Sequence, residues 1–177
     1  MAYKTSALRK TAIDRVGICD GLEHLNNQDY KNENEFTEYL VPRLSEVIKG
    51  MYGLEMTGYK KEVTFLASRN GTQFGIRPDI EVATQTDKNI LIECKNLKLR
   101  NKKTSFEAIT QMMQYKFFFD LGHNKEEYKL ILATNYFDFE LMQFMSYFGL
   151  YFIDVIICSK TQIGFWINEI RQIQRNG

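Results

Sequence analysis

Two short stretches of alternating residues constrain this chain more than any other feature. Residues 75–83 read GIRPDIEVA, with Ile76, Pro78, Ile80 and Val82 on one face and Arg77, Asp79 and Glu81 on the other. Residues 90–95 read ILIECK, with Ile90, Ile92 and Cys94 on one face and Leu91, Glu93 and Lys95 on the other. Period two is the signature of a half-buried strand, and the polar TQTDKN between them suits a hairpin connection. A slip of one residue would turn one strand's apolar side to solvent while its partner's still faced the core, so even positions must oppose even positions. The most symmetric register sets Val82 against Ile90, Ile80 against Ile92 and Pro78 against Cys94. It also sets Asp79 directly across from Glu93, with Glu81 and Lys95 sharing that face.

Two carboxylates opposed on an antiparallel pair lie roughly 5 Å apart and repel unless a cation joins them. Mg²⁺ suits the place: it takes hard oxygen ligands, keeps several waters and is usually held by one or two carboxylates plus a phosphate oxygen. Asp79, Glu93 and the backbone carbonyl of Cys94 are the expected ligands, with Mn²⁺ able to substitute. Lys95 falls on the same side, where an ammonium can orient an attacking water and offset charge on a phosphorane. Solvated strand faces also carry Asp, Glu and Lys as ordinary residues and weak ion pairs. The strand pair alone does not separate the two readings.

Residues 104–120, TSFEAITQMMQYKFFFD, open with Thr104 and Glu107 at capping-box spacing and close before Gly122, which predicts a helix. Phe106, Ile109, Met113 and Phe117 form its expected core stripe. Gln111 and Tyr115, four residues apart, stack on a different side and can reach one ligand together, although such pairs are also common on exposed helices.

Pro78-Asp79, then Glu93-Cys94-Lys95, then Gln111 with Tyr115 resemble the PD-(D/E)xK nuclease superfamily. More narrowly they resemble its branch with a QxxxY helix motif, which includes RecB-like nucleases and the nuclease domains of type I restriction subunits. The resemblance spans about residues 35–155 in element order. It implies an α/β restriction-endonuclease-like core, a mixed central sheet flanked by helices. It further implies Mg²⁺-dependent hydrolysis of DNA phosphodiesters, with Asp79 and Glu93 binding metal, Lys95 assisting catalysis, and Gln111 and Tyr115 positioning the site and the nucleic acid. One more glutamate from the first helix often joins such a site; Glu38 is the first candidate, then Glu35 and Glu46, and each equally suits an exposed helix surface. Two alternatives stay open: a protein of this fold that binds nucleic acid or a partner without cutting, and a nuclease subunit of a larger restriction or repair complex.

Composition narrows the field. A chain of 177 residues, 44% hydrophobic and 25% charged, has globular values and the length of one domain. The expected division is an extension over 1–30, a core over 35–158 and a second extension over 159–177. No apolar run approaches the ~18 residues that span a bilayer and no secretory signal pattern occurs, so the expectation is a soluble, cytoplasmic protein without a membrane partner. Cys19, Cys94 and Cys158 lack CxxC spacing and fit neither a disulfide framework nor a zinc cluster. His24 and His123 fall in no catalytic or ligand pattern, and no GxxxxGK[ST] loop is present. A net charge of +1 does not itself point to nucleic acid; distribution matters more. Residues 95–103, KNLKLRNKK, gather Lys95, Lys98, Arg100, Lys102 and Lys103 without an acid. Such a run either tracks a phosphate backbone or is a loop kept soluble by lysine.

In chain order, residues 5–16 suit a short basic helix and 26–34 a polar loop. A helix over 35–49, with Phe36, Leu40, Leu44, Val47 and Ile48 as its stripe, is interrupted at Pro42 and ends at Gly50. Residues 61–67 are the expected first strand, followed by the pair above and the 104–120 helix. The apolar run 129–134 suits a strand covered on both faces. A helix over 138–148, with Leu141, Met142, Met145 and Phe148 inward, and a strand over 151–158 imply a parallel crossover. The last stretch suits a short strand or helix and a tail bearing Arg171 and Arg175. Aromatic residues, 14% of the chain, exceed what one helix face can bury, so either a homodimer surface or a sheet covered on both faces accounts for them.

Overall fold

Helix α1 (Glu33–Leu40) starts where Asn32 Oδ1 accepts the Glu35 N–H at 2.8 Å. The Glu35 carboxylate reaches back to the Lys31 N–H at 2.7 Å, so two amides of the first turn are satisfied by side chains. Pro42 does interrupt the helical run: Val41–Arg43 tighten into a 3₁₀ turn before α2 (Leu44–Tyr52). α2 runs past the expected stop at Gly50 and ends at Gly53, whose φ of 67° lets its N–H close on the Lys49 carbonyl. The molecule is described by a computed structural model over residues 30–86, 88–97, 102–121, 128–136, 139–160 and 163–167. The expected basic helix at 5–16, Cys19, His24, His123, Arg171 and Arg175 lie outside those residues.

Eight strands follow the helical entry. They are β1 (Met56–Lys61), β2 (Phe65–Arg69), β3 (Thr72–Ile76), β4 (Ile80–Thr84), β5 (Ile90–Lys95), β6 (Lys129–Thr134), β7 (Ile153–Cys158) and β8 (Ile163–Trp166). Helix α3 (Lys102–Leu121) joins β5 to β6, and α4 (Phe139–Tyr147) joins β6 to β7. The central sheet has order β1-β4-β5-β6-β7-β8. It is mixed: β1, β4 and β5 form an antiparallel meander, β5, β6 and β7 are parallel, and β8 returns antiparallel. This is an α/β fold whose central sheet carries helices on both faces.

The expected register holds for Ile80 against Ile92 and Val82 against Ile90, while the expected pairs Pro78 with Cys94 and Asp79 with Glu93 fall outside the ladder, and Asp79 instead accepts the Cys94 N–H. The single expected strand over 75–83 does not hold. Its first residues belong to β3, the ladder with β5 starts only at Ile80, and Arg77–Asp79 form the link. The expected strand at 61–67 is likewise divided. Residues up to Lys61 pair with β4, Glu62 turns at φ 55°, and Phe65 onward form a separate hairpin with β3. Asn70 and Gly71, both at positive φ, make the two-residue turn that matches strand twist in such a hairpin. At Gly75 a Cβ would stand 2.8 Å from the Phe65 carbonyl oxygen, so the hairpin closes only because that position lacks one.

Strand parity divides the interior into two cores. Phe36, Leu40, Leu44, Val47 and Ile48, the stripe read from sequence, are buried against Ile80, Val82, Ile90, Ile92 and Cys94. Leu91 faces the other way, with Leu130, Leu132, Val155 and Ile157 under α3 and α4. Burial on both faces explains why β6 and β7 are apolar without alternation. The face that α3 buries is not the expected one. Ala108, Ile109, Met112, Tyr115 and Phe118 point inward, whereas Phe106, Met113 and Phe117 are 37%, 45% and 62% exposed. In α4, Leu141, Met142 and Met145 are buried as expected but Phe148, one residue past the end of the helix, is exposed. Among the described residues no helix is long and apolar enough to cross a membrane.

Candidate active site

Asp79 sits one residue before β4, where its carbonyl accepts the Glu62 N–H at 2.8 Å. Its Oδ2 accepts the Cys94 N–H of the neighbouring strand at 2.7 Å. This bond turns the Asp79 carboxylate toward the end of β5, where Glu93 and Lys95 lie. Burial raises the Asp79 pKa, and the Cys94 N–H and the Lys95 charge only partly offset it.

Glu93, on the same face of β5 as Leu91, is carried under α3 and is 1% exposed. Both of its oxygens are engaged. Oε1 lies 2.6 Å from Lys95 Nζ, and Oε2 accepts the Tyr115 hydroxyl at 2.6 Å. Burial is the main reason its pKa is raised, the nearby Asp79 charge adds to it, and Lys95 and Tyr115 oppose both. A buried carboxylate that also feels a second carboxylate is the electrostatic situation a divalent ion relieves.

Burial alone would depress the Lys95 ammonium, but the Glu93 hydrogen bond and the charges of Glu93, Glu33 and Asp79 outweigh it and raise its pKa. The ammonium also stands 3.5 Å from Glu33 Oε1 on α1. Beyond it the backbone is held: Asn96 Nδ2 donates to the Tyr30 carbonyl at 2.8 Å, and the Leu97 N–H donates to Asn135 Oδ1 at 2.6 Å. These bonds pin the end of β5 between α1 and the end of β6.

Gln111 and Tyr115 are hydrogen-bonded to each other. Gln111 Nε2 donates to the Tyr115 oxygen at 2.8 Å, and that hydroxyl lies 2.6 Å from Glu93 Oε2 and 3.1 Å from the Arg77 carbonyl. Their side of α3 is not apart from its core face, as expected from sequence; Tyr115 is part of that face, at 3% exposure. Both residues also line a cleft of about 700 Å³ between α3 and the Gly75–Arg77 stretch.

The structure thus brings Asp79, Lys95 and Tyr115 to Glu93 near the end of β5, with Gln111 bonded to Tyr115 and Asp79 to the Cys94 N–H. Glu38 is not among them. It is exposed, and the helix glutamate that reaches Lys95 is Glu33. Glu38 is two residues from both Phe36 and Leu40, roughly 200° round the helix from each, so the face that buries those residues turns it outward. Glu33 precedes Phe36 by three and Thr37 by four, which puts it on the sheet-facing side. Glu35 is engaged by the Lys31 N–H and by Lys160 at 3.1 Å, and Glu46 lines a separate cavity with Tyr39 and Arg43. Of the basic run, Lys98 and Arg100 and the side chains of Lys102 and Lys103 lie outside the described residues.

Among the described residues no group of three or more His, Cys, Asp or Glu side chains is gathered to hold a metal ion. Asp79 and Glu93 offer two carboxylates and hard oxygen chemistry. That set fits a water-rich ion such as Mg²⁺ better than a structural zinc, whose closed site is built of cysteine and histidine ligands. The Cys94 thiol is fully buried, and burial raises its pKa further from the thiolate form a soft metal needs. Comparison of the chain with protein-family models, curated proteins and solved structures finds no match.

Proposed function

We propose that this protein is a Mg²⁺-dependent nuclease that hydrolyses DNA phosphodiester bonds at Asp79, Glu93 and Lys95. The observation that carries the reading is Asp79, just before β4 and bonded to the Cys94 N–H, standing close enough to Glu93 of β5 for its charge to raise the Glu93 pKa, with Lys95 on one Glu93 oxygen and Tyr115 on the other. The order of elements, a helical entry, an antiparallel meander, then helix, strand, helix, strand, is compatible with a restriction-endonuclease-like core and adds support.

When bound, Mg²⁺ supplies Lewis-acid polarisation of the phosphate and a lowered pKa for a coordinated water. Asp79 and Glu93 are the side chains that would hold it, with the Cys94 carbonyl as a further oxygen. Tyr115 fixes the rotamer of Glu93, and Gln111 fixes Tyr115. Lys95 serves as counter-charge to Glu93 in the protein alone; with a substrate phosphate present its ammonium orients the water and stabilises charge building on phosphorus. The protein provides no covalent nucleophile in this scheme.

One observation favours a second reading, a protein of this fold that binds nucleic acid or a partner without cutting it. Lys95 neutralises Glu93 at 2.6 Å, so the carboxylate has a counter-charge within the protein itself. Incubation of the purified protein with linear, circular, single-stranded and branched DNA in Mg²⁺ or Mn²⁺ separates the two. Cleavage lost in both Asp79→Ala and Lys95→Ala supports the nuclease; cleavage that survives both changes refutes it.

A further inference from the structure

We infer that the cleft beside Tyr115 receives an unpaired nucleobase, and that the protein engages a single strand across an aromatic row leading away from it. This rests on the proposed nuclease reading and names its substrate class.

The lining of the cleft argues for a heterocycle and against a phosphate. Among the described lining residues the one guanidinium, Arg77, is paired with Glu62 at 2.5 Å, and Glu107 adds an acid to the wall. Among these described residues a phosphate would find that single cation, already paired, and would face the Glu107 carboxyl. A base would meet the carboxamides of Gln111 and Gln114, groups that match its donor and acceptor edge, and the half-exposed ring of Phe106. A volume of about 700 Å³ is within the range of small-ligand sites. Through Tyr115 the cleft adjoins Glu93, so a base seated in it would hold its own phosphate near the carboxylates.

The rings continue outward from Phe106. Phe106 meets Phe144 at 4.7 Å between centroids, Phe144 meets Phe148 at 4.6 Å, and Phe148 meets Tyr147 at 5.1 Å. Phe148 is 57% and Tyr147 84% exposed, a large apolar cost to leave in water unless something stacks there. Successive exposed aromatics beside a catalytic cleft are a platform on which unpaired bases stack without regard to sequence, and a duplex, whose bases already stack on each other, cannot use it.

Fluorescence anisotropy in EDTA tests this without any cleavage, using labelled oligothymidine, an abasic strand of equal length and a duplex. Oligothymidine is expected to bind at least about tenfold more tightly than either control. Phe106→Leu, which keeps apolar bulk against Phe144, and Tyr147→Ala are each expected to weaken it by about five- to hundredfold, the usual value of one base-aromatic stack. Phe106→Trp should retain binding. Equal affinity for the abasic strand, or unchanged affinity in both weakening variants, overturns the inference. So does a dimer in sedimentation that Tyr147→Ala dissolves while strand binding stays the same, because the rings would then be a protein interface. Should Phe106→Leu fail to fold, the exposed Tyr147 position carries the test. Failure here with Mg²⁺-dependent cleavage intact removes only the base cleft, whereas strand binding without cleavage removes the nuclease and keeps the cleft.

Discussion

The Tyr115 hydroxyl lies 2.6 Å from Glu93 Oε2, tying helix α3 to strand β5 at a carboxylate that is 1% exposed. A hydrogen bond to a charged group contributes about 1.5–3 kcal/mol. Tyr115→Phe should therefore lower stability by about that amount, seen in urea as a lower midpoint with an unchanged slope. The variant should also bind Mn²⁺ more weakly, because Glu93 loses the contact that sets its rotamer. A midpoint equal to wild type would mean the bond is not formed in solution.

Lys95 has the opposite relation to the metal. Removing one member of a buried ion pair costs about 3–5 kcal/mol, since the other charge is left without a partner. Lys95→Met should show a loss of that order in EDTA, and adding Glu93→Gln should recover much of it. Mg²⁺ should stabilise Lys95→Met more than it stabilises wild type, because the ion takes over the counter-charge. Calorimetric melts of the three proteins with and without Mg²⁺ check this, and an equal Mg²⁺ effect in all three would contradict it.

Acid dependence follows from the raised pKa values of Asp79 and Glu93. Between the ordinary carboxyl value, about 4, and the raised folded values, the folded state holds protons that the unfolded state has released. Stability in EDTA should fall as pH rises through that window and stay reduced above it. Metal competes with those protons, so the Mg²⁺-induced rise in melting temperature should grow over the same window. Lys95, also raised, acts at the alkaline end: its contribution is present below the ordinary lysine value and lost as pH rises through the folded one. Melting curves from about pH 4 to 8 with EDTA or Mg²⁺ test the acid limb.

Glu33 and Glu38 make a controlled pair on one helix. Glu33→Gln removes the second charge on Lys95 and should slow cleavage severalfold while changing stability by less than about 1 kcal/mol, as expected for a half-exposed partner. Glu38→Gln should leave both within error, within about 0.5 kcal/mol. Turnover numbers for the two variants decide it; an effect confined to Glu38 would restore the glutamate expected from sequence.

What the sequence made legible follows physical periodicity. The β4–β5 register was readable because Ile80, Val82, Ile90 and Ile92 alternate strictly and one face had to be buried. The α1–α2 stripe was readable for the same reason, with polar residues between its apolar ones. Helix α3 offered no such contrast. Phe, Met, Tyr and Ile lie all round it, so spacing could not choose between Phe106, Met113 and Phe117 and the buried set with Ala108, Met112 and Phe118. The hairpin of β2 and β3 carries its own sequence signal, Asn70-Gly71 between short alternating segments. Glu33 was likewise readable: the apolar stripe that located Phe36 and Leu40 puts Glu33, not Glu38, on the buried side. Contacts between distant segments, such as Tyr115 with Glu93, required the resemblance or the structure, because periodicity says nothing about which helix covers which strand.

Titration calorimetry of Mn²⁺ into the protein, alone and with DNA, measures the central relationship most directly. Saturable binding is expected, abolished by Asp79→Asn and by Glu93→Gln and left intact by Glu38→Gln. Absence of carboxylate-dependent binding in both conditions would contradict it, and the Asp79–Glu93–Lys95 cluster would then stand as an ion pair that serves the fold alone.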